Sequence, residues 1–245
     1  MRVHSHEVTY TPEGSPEDLP AAAESPQAKI ALIQAALLAA YGQPTWRSHH
    51  PPLDELILTI LSQHTSDLNS GRAFTQLRAA LPTWEAVRDA PVAAVADAIR
   101  SGGLAAVKAP RIQRVLRQIW DERGNFDLDF LATVPLAEAR TWLATLPGVG
   151  PKTAACVLLF SCGRPALPVD THVHRVSRRL GLVPDRTTAD QAHGLLEALV
   201  PPAWYYAFHL NVIKHGREVC KAPRPRCEIC PLTAWCSYYQ ALRAA

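Results

Sequence analysis

The chain places one lysine where an amine could act as a nucleophile: Leu146-Pro147-Gly148-Val149-Gly150-Pro151-Lys152 lies between two helical segments. Two glycines one residue apart permit a tight turn with positive φ and leave backbone N–H groups uncovered. Those groups, with the start of the helix that follows, form a concavity suited to a phosphate. Pro151 fits a first helical turn, where no N–H is needed. A lysine in that turn meets the positive end of the helix dipole, which disfavours the ammonium form, and partial burial pushes the same way. The expected result is an amine able to attack a carbon centre. Arginine could not do this because it never deprotonates, and lysine is the rarer cation here, five against twenty arginines. Two plainer roles compete: the turn as a simple connection, and Lys152 as a second phosphate contact. Eighteen residues on, Asp170 precedes the apolar-periodic run Thr171-His172-Val173-His174-Arg175-Val176. It reads as an N-cap, which does not prevent it from also stabilising a developing cation or positioning a proton.

A second constellation is sulfur. Cys220, Cys227, Cys230 and Cys236 fall within seventeen residues, as C-x6-C-x2-C-x5-C. In a reducing compartment such crowding suggests metal ligands before disulfides. Zinc sites commonly show two tight CxxC pairs, whereas this run has one tight pair and two wider spans, which a [4Fe–4S] cubane accepts. Zinc stands as the alternative. Lys221, Arg224 and Arg226 lie between the first two cysteines, so a metal holding that loop would also hold a basic surface for phosphate; ordinary solvated charge is the competing reading. Cys156 and Cys162 have no ligand spacing with the group, and Cys156 reads as core packing.

The elements that must position these groups are helical. Apolar residues at a period near 3.6 mark helices over 30–40, 53–61, onward through Leu77, 92–99, 107–120, 136–146, 152–160, 170–180, 188–199 and 203–217, bounded by Pro, Gly or capping residues. No stretch alternates long enough for a strand, so the expected class is all-α without a fixed repeat. Residues 1–28, with five acidic residues and four prolines in the first 27, read as a disordered extension. The formal charge is only +3, but residues 146–245 carry 12 Lys/Arg against 6 Asp/Glu, while residues 1–145 carry 13 against 16. That asymmetry fits a surface for a polyanion. No apolar run is long enough to cross a bilayer and no signal peptide opens the chain, so a soluble intracellular protein is expected.

LPGVGPKTAACVLL followed by LPVDTHVHRV resembles the helix–hairpin–helix region of the endonuclease III family, DNA glycosylases that are also abasic-site lyases. The likeness runs from about Lys29 to Cys236: LSQHTSD from Leu61 resembles the family's LSxQxxD segment, Gly103-Leu104 with Lys108-Ala109 its GLxxxKA segment, and the cysteine spacing and His215-Gly216-Arg217 match as well. The resemblance implies two helical lobes around a DNA-binding cleft, a six-helix barrel over 46–164 and a cluster lobe formed by 29–45 with 165–245. It implies Lys152 as the nucleophile on C1′ of a damaged nucleotide flipped from the duplex, with Asp170 assisting base departure. Gly148, Val149 and Gly150 would grip the backbone, Gln63 would contact DNA, His64 would fill the vacated stack with Leu104 as a second wedge, and the four cysteines would hold a [4Fe–4S] cluster. The implied partner is duplex DNA containing oxidised pyrimidines or abasic sites, and the expected setting a monomer on the nucleoid of a bacterial cytoplasm. Departures fall at His64, often Gln in the family, at Ala144, often Glu, and at Pro151, often Arg. A monofunctional or alkylbase-specific relative, an adenine-mismatch glycosylase and a non-catalytic DNA-binding module are the alternatives. Lys152, and Thr59 where mismatch enzymes place a glutamate, weigh against the mismatch reading.

Overall fold

The computed structural model describes residues 25–244; most of the expected N-terminal extension lies outside them. Twelve α-helices follow one another: α1 Pro26–Tyr41, α2 Pro52–Ser62, α3 Asp67–Ala80, α4 Trp84–Asp89, α5 Val92–Ala98, α6 Ala105–Arg123, α7 Leu136–Thr145, α8 Pro151–Cys156, α9 Thr171–Leu180, α10 Ala189–Leu199, α11 Tyr205–Glu218 and α12 Ser237–Ala244. There is no strand among the described residues. Nor is any helix among them long and apolar enough to cross a membrane. Residues 25–28, read with the extension, instead open α1: Ser25 caps it by accepting from the Ala28 amide and Pro26 fills the first turn. Two helices escape the periodicity reading. α4 is six residues with only Trp84 and Val87 buried, and α12 buries nothing, so neither carries a long apolar stripe.

Buried apolar side chains form two clusters. One gathers α2 to α7, with Leu56, Ile57, Ile60, Ile112, Leu116 and Leu143 at its centre. The other joins α1 to the C-terminal helices through Ile30, Ile33, Leu37, Val176, Phe208 and Val212. The helix begun by Pro151 belongs to both: Ala154, Ala155, Val157 and Leu158 point into the first cluster, Cys156, Leu159 and Phe160 into the second. Its last turn, Val157–Ser161, widens to π geometry. The linker between α1 and α2 seals that end. The Trp46 indole donates to the Leu159 carbonyl at 2.8 Å and the His49 amide to the Phe160 carbonyl at 3.1 Å. Carbonyls left without helical partners are thereby satisfied.

Two ion pairs tie the clusters together. Arg140 of α7 donates twice to the Glu197 carboxylate of α10, at 2.6 and 2.8 Å, and Glu197 also accepts from the Leu167 amide. Arg217 of α11 reaches Asp67 at the start of α3, at 2.7 Å. The first is forked and half-buried, the geometry in which such a pair contributes most.

Candidate active site and basic loop

Lys152 is half-buried in the first turn of α8, two residues after the N-cap Gly150. One turn along the same helix is Cys156, fully buried, whose thiol shares a hydrogen bond with Lys152. Burial pushes that thiol up to about 11, against the pull of Lys152. It is therefore a thiol and not a thiolate at neutral pH. Asp170 caps α9: its Oδ1 accepts from the Val173 amide at 2.7 Å, leaving the second carboxylate oxygen for the site.

Two further side chains lie within electrostatic reach of this pair. His209 of α11 is buried, and its Nδ1–H donates to the Pro168 carbonyl at 2.8 Å. Burial lowers its pKa to about 4 despite the opposing charge of Asp170, so the ring is neutral with Nε2 as an acceptor. Glu55 of α2 is also buried, and accepts from the Thr59 hydroxyl at 3.4 Å. Burial raises its pKa, opposed by His50, the Thr59 bond and Lys152. The site thus combines one amine, two carboxyls, a neutral imidazole and a thiol from α2, α8, α9 and α11. Glu55, Cys156 and His209 were not assigned a chemical role from sequence. The available signal was a polar residue on the apolar face of its helix, which marks burial but not the partner it meets.

The hairpin before Lys152 has the expected turn. Gly148 has φ 76°, a conformation that glycine adopts without strain. Gly148 and Gly150 are exposed. The Val149 side chain packs in the first core and its N–H donates to the Leu146 carbonyl at 3.1 Å. Gln63 is half-buried and donates to the Gly148 carbonyl at 3.2 Å. His64, beside it, is exposed with φ 56°; Leu104 is exposed with φ 49°.

Cys220, Cys227, Cys230 and Cys236 line a single pocket, and all four are free thiols. Around them, Arg179 Nη1 donates to Cys220 Sγ at 3.3 Å and His215 Nε2 faces Cys230 Sγ at 3.6 Å, while the Tyr41 hydroxyl meets His215 Nδ1 at 2.8 Å. Among the described residues no three His, Cys, Asp or Glu side chains converge as they would on a single metal ion. Lys221, Arg224 and Arg226 are exposed beside it, Arg226 4.0 Å from Glu228. The loop is held from α9: Arg175 Nε and Nη2 donate to the Cys220 carbonyl, and Arg179 donates to the carbonyls of Lys221 and Ala222.

Comparison with known proteins gives a consistent result. A family model described as "HhH-GPD superfamily base excision DNA repair protein" matches residues 57–202, which include Lys152 and Asp170 but not the four clustered cysteines. An Arabidopsis thaliana protein provisionally named a DNA glycosylase is 35% identical over 192 residues, covering 75% of this chain and 66% of that one. Endonuclease III of Thermotoga maritima is 35% identical over 189 residues, 77% of this chain and 84% of its own length. The chain thus spans just under two thirds of the first relative and most of the second. A solved structure of a trapped endonuclease III–DNA covalent intermediate superposes with a TM-score of 0.77 at 29% identity, covering 89% of this chain and 98% of that one.

Proposed function

Because the chain belongs to the HhH-GPD superfamily of base excision DNA repair proteins, we propose that it is a bifunctional DNA N-glycosylase and abasic-site lyase acting on oxidised pyrimidines in duplex DNA. The observation that carries the reading is Lys152, a half-buried amine set behind the glycine hairpin with the capping carboxylate Asp170 in the same electrostatic neighbourhood. The Gly148 and Gly150 amides would take a phosphate of the damaged strand, an interaction that positions without reading sequence. His64 and Leu104 would fill the stack after the damaged nucleotide leaves it.

Lys152 Nζ attacks C1′ as the glycosidic C1′–N bond breaks, and the base departs with its electron pair and the proton that Nζ gives up. The free oxygen of Asp170 faces the positive charge that develops on the sugar. Ring opening gives an imine between Lys152 and C1′. Loss of the C2′ proton and cleavage of the C3′–O bond then release the downstream strand with its 5′ phosphate. Neutral His209 and the Cys156 thiol add no net charge beside this cation. Four thiols around one pocket, two of them already facing a guanidinium and an imidazole, fit a [4Fe–4S] cluster. When bound, the cluster supplies rigidity to the basic loop. The reading carries with it a monomer acting on nucleoid DNA in a bacterial cytoplasm.

Borohydride reduction during turnover tests the chemistry. A covalent protein–DNA adduct should form on thymine-glycol and abasic duplexes and disappear in Lys152→Ala, with strand scission falling by about a thousandfold or more. Scission that survives Lys152→Ala undiminished would refute the reading.

A further inference from the structure

His64 and Leu104 share an uncommon combination: each is a non-glycine residue in the left-handed region, and each presents its side chain to solvent, Leu104 at 54% exposure. Such a backbone is strained for an ordinary residue and persists only where its surroundings over-determine it. The surroundings converge on one side chain. Lys108, 2% exposed, donates from Nζ to the Leu61 carbonyl at 2.6 Å and to the Gly102 carbonyl at 2.8 Å. Leu61 lies three residues before His64, and Gly102 two before Leu104. The two segments also touch directly, since a Cβ on Gly102 would meet Ala73 of α3 at 3.0 Å and Leu61 at 3.9 Å.

One turn further along α6, Arg111 extends the same arrangement. Its Nη1 donates to Gln63 Oε1 at 2.9 Å, and its stem lies over Gly148, whose added Cβ would meet Arg111 Cδ at 2.6 Å. Both protruding residues and the hairpin are therefore anchored to one face of α6. A lysine present only to fill space would be a poor choice. Burying an ammonium is costly unless it is hydrogen-bonded, and methionine fills the same volume without that cost. Burial and the nearby Arg111 both weaken the hold of Lys108 on its proton, yet the side chain ends on two main-chain carbonyls, where a donor is required.

We infer that Lys108 is a positioning residue that holds His64 and Leu104 as a paired wedge before DNA arrives, so that opening the duplex requires no rearrangement of the protein. The inference rests on the reading of the chain as an enzyme acting on duplex DNA, and it needs a readout independent of Lys152 chemistry. The probe is 2-aminopurine opposite an uncleavable abasic analogue in a duplex, read at saturating protein, beside borohydride trapping on single-stranded abasic DNA, which has no stack to open. Wild type should raise the fluorescence. Lys108→Met should lose most of that gain while single-strand trapping stays within about twofold. In a His64→Gly/Leu104→Gly background, Lys108→Met should change the fluorescence no further, because the groups it positions are gone.

Should Lys108→Met fail to fold, Gly102→Ala probes the same link from the other end. Its Cβ would lie 3.0 Å from the Ala73 Cβ, a contact that must shift one of the two backbones; the expected shift is of the Gly102 carbonyl away from Nζ, and the fluorescence gain should fall in the same way. A full gain in Lys108→Met or Gly102→Ala overturns the inference, as does a gain that falls in parallel with single-strand trapping. Fluorescence gain without any wild-type trapping would instead reject the lyase chemistry and leave the wedge standing.

Discussion

His209 is where acid should act on the catalytic core. Its unfolded pKa is about 6.5, and burial beside Lys152 and His193 holds it at about 4 in the fold although Asp170 pulls upward. The folded value is depressed, so the unfolded chain binds the extra proton first. The stability from a neutral His209 is fully present above about pH 6.5 and is lost as pH falls toward 4. The two values place its size on the order of 3 kcal/mol. His209→Asn keeps a side-chain donor for the Pro168 carbonyl but cannot titrate, so its denaturation midpoint should decline less steeply than wild type from pH 6.5 to 4. Parallel profiles would show that His209 is not the group responsible. The comparison between variant and wild type cancels the contributions of Glu55 and the carboxylates.

Among the elements, the hairpin joining α7 to α8 is the most tightly specified. Gly148 needs φ near 76° and lies under the Arg111 side chain, so Gly148→Ala meets both backbone strain and a contact at 2.6 Å. Arg111 is flexible and can swing away, at the expense of its bond to Gln63. We expect Gly148→Ala to lower stability by about 1–2 kcal/mol in chemical denaturation and to weaken duplex binding; an unchanged midpoint would mean that the turn tolerates a side chain. This element was legible in the sequence because its cause is local: two glycines, a proline suited to a first helical turn, and a lysine behind them. The caps were legible for the same reason, Asp170 among them. The inward packing of the Val149 side chain was not legible, because spacing does not tell which way a turn directs its middle residue. Glu55 and His209 escaped notice because what makes each of them chemical is a partner more than forty residues away. Lys108 illustrates the difference. Within its own segment it is one lysine in a helix, and only the folded chain brings Leu61 and Gly102 to it.

At the scale of the whole molecule, the excess of positive charge in residues 146–245 becomes a presented surface. Arg175 and Arg179 of α9 grip the carbonyls at the start of the cysteine loop, so Lys221 and Arg224 project from an anchored strap. Arg226 is partly offset by Glu228 at 4.0 Å and should matter less. Lys221→Ala and Arg224→Ala should each weaken binding similarly across sequences and reduce the slope of log affinity against log salt by about one. Slopes equal to wild type in both would remove the loop from the DNA interface. The half-buried Arg140–Glu197 pair and the exposed Arg217–Asp67 pair link helices of the two cores.

The partnership of α1 with the last third of the chain dictates an order of events during synthesis. Its apolar face is completed by α11, where Asn211 donates to the Gly42 carbonyl and His215 meets Tyr41. α1 thus leaves the ribosome well before the helices that cover its apolar face, while α2 to α7 can condense as soon as they emerge. Ile30, Ile33 and Leu37 therefore lack their α11 neighbours until Tyr205–Glu218 has been translated.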